Sequence, residues 1–291
     1  MKYLIKNEHL SVVVFAKGGE LQSIKGNDGT EYLWQGDPTY WDGKAPNLFP
    51  YIARLTQGRY KIANQEYSMD IHGFLKDTTL ELEEHTENKL VLTMESNEVT
   101  EKQYPFKFQF YVMYEIIGQS LQITYSVENQ DTKTMYFGIG GHPGFHVPLE
   151  KELGFEDYYL QFAESGIATR VGMSEDCFVT EQDTEFELVN GNKIPLVHTM
   201  FDDDAIILTD MSKEITLKSD KSNKNITVRY PEMKYLGLWH MPKTDAPYIC
   251  IEPWTSLPSR KDVVEDLETQ PNLIALETEK KYTNMWSITI S

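Results

Sequence analysis

The stretch Phe106-Lys107-Phe108-Gln109-Phe110-Tyr111-Val112-Met113-Tyr114-Glu115-Ile116-Ile117-Gly118-Gln119-Ser120-Leu121-Gln122-Ile123-Thr124-Tyr125-Ser126-Val127 decides the fold class. Phe106, Phe108, Phe110, Val112 and Tyr114 keep a period of two, Ile117 to Ser120 makes a turn, and Leu121, Ile123, Tyr125 and Val127 return. Side chains of a strand alternate between faces, so this pattern reads as a long antiparallel hairpin with one buried face. The same pattern recurs on both sides. Leu80 and Leu82 alternate with acids, Glu87-Asn88-Lys89 turns the chain, and Leu90, Leu92 and Met94 go back. Ile215 and Leu217 lead through the polar stretch from Ser219 to Asn225 into Ile226, Val228 and Tyr230. Helical periodicity is weak, its best candidate being one or two short turns over Lys261 to Glu268, preceded by Pro258-Ser259. The expectation is an all-β chain, a large antiparallel β-sandwich with few short helices. Strand signals run evenly from Tyr3 to Ile290 without a repeat or linker, so residues 1–291 read as a single domain.

Composition narrows the partners. The 291 residues are 40% hydrophobic and 12% aromatic, enough apolar surface to offset chain entropy on folding. Lys and Arg total 27 against 45 Asp and Glu, a formal net charge of -18. Nucleic acid and anionic membrane both require a basic patch, so neither is an expected partner. A neutral small molecule is, with monomer and homodimer both open. Lys2, Lys6 and Glu8 interrupt any signal-type apolar core, and Val12 to Ala16 is far too short to cross a bilayer, so a cytoplasmic location is expected. Cys177 and Cys250 have neither CxxC nor metal-ligand spacing, which argues against a disulfide scaffold.

Three segments carry polar groups that a sandwich core does not need. They are Asn47 to Leu55 continuing to Asp70-Ile71-His72-Gly73-Phe74, Gly138 to Pro148, and Leu238 to Pro242 leading to Cys250-Ile251-Glu252-Pro253-Trp254. With FPYIARL, DIHGF, IGGHPGF, FDDDA and IEPW in this order across almost the full length, the chain resembles the aldose 1-epimerase (galactose mutarotase-like) family, in particular its LacX-type branch. The resemblance implies a mutarotase-like supersandwich with a solvent-open saccharide groove. It also implies cofactor-free interconversion of the α and β anomers of a free sugar. On the same footing His142 is the general acid, Glu252 the general base, and His72, Arg54 and an Asp of the 202 to 204 run bind sugar.

These residue types suit that chemistry. Mutarotation removes a proton from the anomeric hydroxyl and delivers one to the ring oxygen, giving an open aldehyde that rotates and recloses. With ordinary pKa values near 4.3 for Glu and 6.5 for His, a carboxylate and a partly protonated imidazole coexist at neutral pH, so no large shift is expected. Each such group contributes roughly 10²- to 10⁴-fold, and no metal is required.

Each nomination has a plainer alternative. Glu252 lies in an apolar strand, Tyr248 to Trp254, so it either faces a polar cleft or is neutralised by a structural Arg. His142 sits in a Gly-Gly-His-Pro-Gly frame that suits a positioned side chain, or a satisfied turn histidine. A metal shared by His142 and His146 is rejected, because four residues of strand span about 13 Å. His72 is a ligand-binding group or a capping histidine. Arg54 is a buried ion-pair partner or a fork for hydroxyls. Asp202-Asp203-Asp204 reads as a solvated acidic turn unless one member points inward. Asp204, at the mouth of the strand beginning Ala205-Ile206, ranks above Asp203. Of Trp34, Trp41, Trp239 and Trp254, Trp239 is the best candidate to stack on a pyranose. Cys250 shares the face of Glu252 and reads as a buried, inert thiol.

Two departures from the family pattern bear on substrate. Ala53-Arg54 replaces Gly-Arg, and Leu75-Lys76 replaces Ala-Arg after His-Gly-Phe, which keeps a charge but loses a bidentate fork. A hexose-6-phosphate 1-epimerase is the nearest rival, and it requires Arg54, Arg59 and Lys76 to converge. A non-catalytic carbohydrate-binding module is the rival of another class, to which an acid and base pair would be superfluous.

Overall fold

The structure, a computed structural model, describes residues 1–291. Its larger sheet has nine strands in the spatial order Lys193–Pro195, Tyr159–Phe162, Glu214–Lys218, Ile226–Arg229, Lys281–Ile290, Ser120–Asn129, Phe108–Ile117, Lys89–Glu95 and Glu81–His85. The second, eight-stranded sheet runs Thr184–Phe186, Ala168–Arg170, Ile206–Thr209, Tyr235–Trp239, Tyr248–Trp254, Gly140–Gly141 and Asn47–Leu48, with Gly144–His146 also paired to Tyr248–Trp254. All pairings between these strands are antiparallel, as the all-β sandwich reading requires. No helix is long and apolar enough to cross a membrane.

The hairpin that decided the fold class is present. Phe108–Ile117 pairs with Ser120–Asn129, Ile117 lies opposite Ser120, and Gly118 turns the chain at φ +58°, a conformation most side chains resist. Phe108, Phe110, Val112, Tyr114, Leu121, Ile123, Tyr125 and Val127 are all fully buried. The Glu214–Lys218 and Ile226–Arg229 pair also follows the sequence reading. The Glu81–His85 strand departs from it. A bulge between Leu82 and Glu84 breaks the alternation, and Leu82 stays exposed because this strand is the edge of its sheet.

Lys261 to Glu268 corrects another expectation, since it forms turns and no helix. Its place is fixed by tertiary contacts: Lys61 bridges Asp266, and Arg260 grips the buried Glu265 carboxylate with bonds of 2.9 and 2.8 Å. The α-helix is Glu98–Gln103, whose first turn is capped by Asn97 accepting from the N–H groups of Val99 and Thr100. Six residues show too little periodicity to be seen in a sequence; only the cap marks them.

The two large sheets face each other across aromatic side chains. Phe49 packs 5.2 Å from Phe108 and from Phe110, and Asn47 bonds the hydroxyls of Tyr114 and Tyr125 at 2.9 and 2.7 Å. Gly141 lies so close to Trp286 of the opposite sheet that a Cβ would stand 2.6 Å from the indole. The glycine before His142 therefore serves close approach of the layers.

Strand Tyr248–Trp254 shows why a wholly buried segment contains a Glu. Ile249 and Ile251 face the main core. On the opposite face, Tyr248 and Cys250 pack with Trp34 and Ala246, while Trp254 packs with Leu48, Ile52 and Ile207. Glu252 comes between these two apolar clusters, at the wall of a cleft.

Candidate active site

The cleft encloses about 550 Å³, within the size range of small-molecule sites. Arg54, His72, His142, Asp203, Asp204, Trp239 and Glu252 all line it, although they come from six separate stretches of chain.

His142 and Glu252 are its centre. Imidazole Nε2 stands 3.2 Å from carboxylate Oε2, and Glu252 is 1% exposed. No hydrogen bond joins the two, and Glu252 Oε2 and His142 Nδ1 are both buried without partners. Glu252 thus faces the cleft, and the neighbour it meets is a histidine where a structural arginine was the plainer expectation.

His72 is positioned by its backbone. Its N–H donates to the Ala53 carbonyl at 2.9 Å, and the Ala53 N–H donates back to His72 Nδ1 at 3.1 Å. Both residues adopt left-handed φ, +65° and +56°, which accounts for the glycine that the family pattern has at position 53. Because Nδ1 accepts, Nε2 carries the proton of the neutral ring, which meets His142 edge-on at 5.5 Å. Arg54 is exposed and its Nη1 donates to the Asp176 carbonyl at 2.9 Å, so the buried ion-pair alternative falls. Asp204, at φ +73°, accepts from the Ala205 N–H at 2.8 Å and from the Cys177 thiol at 2.9 Å. Asp203 lines the same wall but is exposed.

Trp239 ends its strand 5.7 Å from His142. Trp41 lies nearer, 5.0 Å from His142 and perpendicular to Trp239 at 5.6 Å, so the two indoles flank the imidazole together. Trp34 is no stacking group: it lies outside the cleft, stacks on Tyr248 at 4.6 Å and donates to the Trp41 carbonyl at 2.9 Å. Cys177 and Lys17 also line the cleft, and no spacing in the sequence marks either. Lys76 ion-pairs with Asp77, as does Lys17 at 3.3 Å, whereas Arg59 is bound to Glu66 away from the cleft.

The profile of the aldose 1-epimerase family matches residues 1–265. The chain belongs to that family. The chromosomal Protein LacX of Lactococcus lactis subsp. lactis is 34% identical over 288 residues, 95% of this chain and 96% of that protein. The crystal structure of a galactose mutarotase related enzyme from Lactobacillus acidophilus superposes with a TM-score of 0.95 at 32% identity, covering 100% of this chain and 97% of that one. A galactose mutarotase-like protein from Lactobacillus casei gives 0.95 at 28% identity over 100% of both chains. The chain is a carbohydrate epimerase, an isomerase.

The electrostatics of the epimerase's cleft correct the expectation of ordinary pKa values. Burial pushes the Glu252 carboxyl well above the usual range, and the Asp204 charge pushes the same way. Burial pulls the His142 imidazole down to about 4, against smaller upward effects that include Asp204. His72 is held well below 6.5, first by burial, then by repulsion from His142 whenever that ring is protonated, and by the charges of Lys76 and Arg54. Taking either group out of water disfavours its charged form, so burial biases Glu252 toward the neutral acid and His142 toward the neutral base. The donor atoms of His142, Cys250 and Glu252 lie within 4.8 Å of one another, a spacing a metal could use. Burial, however, raises the Cys250 thiol well above its ordinary pKa, and Glu252 pushes it further whenever it is ionised, which opposes the thiolate that a metal takes.

Proposed function

We propose that this epimerase interconverts the α and β anomers of a free hexose such as glucose or galactose, with Glu252 and His142 as the proton-transfer pair. The observation that supports this reading is the 3.2 Å approach of His142 Nε2 and Glu252 Oε2 in one cleft with sugar-sized space beside them. Their neutral state holds the same single proton as a carboxylate facing an imidazolium. Sugar hydroxyls that give Oε2 the partner it lacks favour the ionised arrangement, with the proton on His142. Glu252 then accepts the anomeric proton while His142 protonates the ring oxygen, the aldehyde rotates, and reclosure reverses both transfers. Trp41 and Trp239 offer apolar faces to the pyranose, and Asp204, Arg54 and His72 Nε2 offer partners to its hydroxyls.

Charge in the cleft favours a neutral sugar over a sugar phosphate. Lys17 and Lys76 share Asp77, Arg59 is elsewhere, and Glu20, Asp42, Asp203 and Asp204 add further carboxylates to the walls. A binding module has no use for an acid and a base this close, which favours an enzyme over that alternative. The test is anomer exchange followed by polarimetry or NMR with fresh α-glucose, α-galactose and α-glucose 6-phosphate. Acceleration of the free sugars above the phosphate is expected. A preference for the phosphate that disappears at high salt would overturn the substrate assignment, and sugar binding in calorimetry without acceleration would overturn catalysis.

A further inference from the structure

Trp254 has no role in the reading above, yet it carries the second orphaned polar atom beside Glu252. The two residues are two apart in a regular strand and share its cleft-facing side. Trp254 is 3% exposed, and its indole Nε1–H, a group that can only donate, is buried without an acceptor. Glu252 Oε2 is buried without a donor. A buried unpaired donor and a buried unpaired acceptor each cost about 1–3 kcal/mol, and neighbouring ones of opposite kind are most simply explained as halves of one bond.

The neighbouring strand is shaped for this ring. Gly237 lies opposite Glu252 across the strand pair, where a Cβ would come 3.0 Å from Trp254 Cζ2 and 3.3 Å from the Glu252 Cβ. On the other side, a Cβ at Gly140 would come 2.8 Å from Trp254 Cδ1. Both glycines have ordinary negative φ, so what they provide is room, and the room is occupied by the indole.

We propose that the Trp254 Nε1–H is the donor that closes on Glu252 Oε2 when that carboxylate is ionised, making Trp254 a positioning residue for the base. The inference rests on the assignment of Glu252 as base. The charged and titratable groups around Glu252 are His142 from the glycine-rich loop, Asp204 from the loop before Ile206–Thr209, and Cys250 and Tyr248 on its own strand. His142 is neutral at rest and Asp204 is repulsive, which leaves the indole as the one neutral group that favours the carboxylate form. The influence of its N–H on Glu252 has that sign.

The test is Trp254→Phe, which keeps an aromatic ring in the glycine cradle and deletes the donor. Its two readouts are the pH profile of mutarotation and a carboxyl ¹³C NMR titration of Glu252, which does not depend on activity. A hydrogen bond to a charged group is worth about one pH unit, so the Glu252 midpoint and the limb of the rate profile that follows it should both rise by roughly that much, with little change in KM. Gly237→Ala, which crowds the indole without removing it, should move the midpoint in the same direction and serves if the first variant does not fold. An unmoved midpoint overturns the inference, whether KM is unchanged or raised, the latter meaning that the indole serves a sugar hydroxyl. A shifted midpoint in a protein without mutarotase activity would uphold the indole contact and overturn the proposed function instead.

Discussion

His142 and Glu252 face each other at 3.2 Å across adjacent segments of one sheet, the imidazole carried by the link between Gly140–Gly141 and Gly144–His146 and the carboxylate by Tyr248–Trp254. Both are withdrawn from water, and both are pushed toward their neutral forms. That relationship supports most of what can be measured.

Glu252→Gln replaces the carboxyl with a neutral amide of the same shape. Activity should fall by roughly 10²- to 10⁴-fold while the circular dichroism spectrum stays unchanged. His142→Gln should cause a loss of similar size. Wild-type rates in the Glu252 variant would remove that residue from the mechanism.

Stability should depend on pH in two opposing ways. His142 and His240 are held at about 4 against an ordinary 6.5, so the unfolded chain takes up protons first. Their contribution is present above pH 6.5 and is lost as pH falls through 4. Glu252 is raised above an ordinary 4.5, so its contribution is full below that value and is lost as pH rises through its folded value. Thermal melts should therefore show Tm falling from pH 7 to pH 4. Glu252→Gln should melt above wild type at pH 8 and level with it at pH 4; the reverse order would contradict the assigned shift.

Asp204→Asn removes an anion that raises Glu252 and helps hold His142 up. The limbs of the rate profile should move to lower pH, and KM should rise because a hydroxyl acceptor has lost its charge. A rise in KM alone would leave Asp204 as a binding group without electrostatic influence on the pair.

Cys177 lies in the cleft with its thiol on Asp204, and burial, together with that bond and charge, pushes it up to about 12. Iodoacetamide should modify it far more slowly than a free thiol at pH 8, and Asp204→Asn should speed the reaction. Mass spectrometry of the modified peptide distinguishes it from Cys250, which is fully buried.

Much of this was legible in the chain itself. The alternation from Phe106 to Val127 specifies a hairpin with one buried face because side-chain direction in a strand is a local property. A carboxylate in the apolar run around Ile251 and an imidazole framed by glycines stand out as candidate site residues for the same local reason, whereas the acid and base roles proposed for them come from the family resemblance. Where sequence reading went astray, distant contacts decided the outcome. The turns of Lys261 to Glu268 answer to Lys61 and to the Arg260–Glu265 pair. Leu82 is exposed because its strand ends a sheet.

What only the tertiary structure decided is the state of the groups once assembled. The amino-acid order names His142, Glu252, Lys76 and Trp41, but not that Lys76 is answered by Asp77, that Trp41 flanks His142, or that burial pushes His142 and Glu252 toward their neutral forms. Ionisation depends on how much water is removed and on charges brought near from other segments, and both are properties of the packed chain.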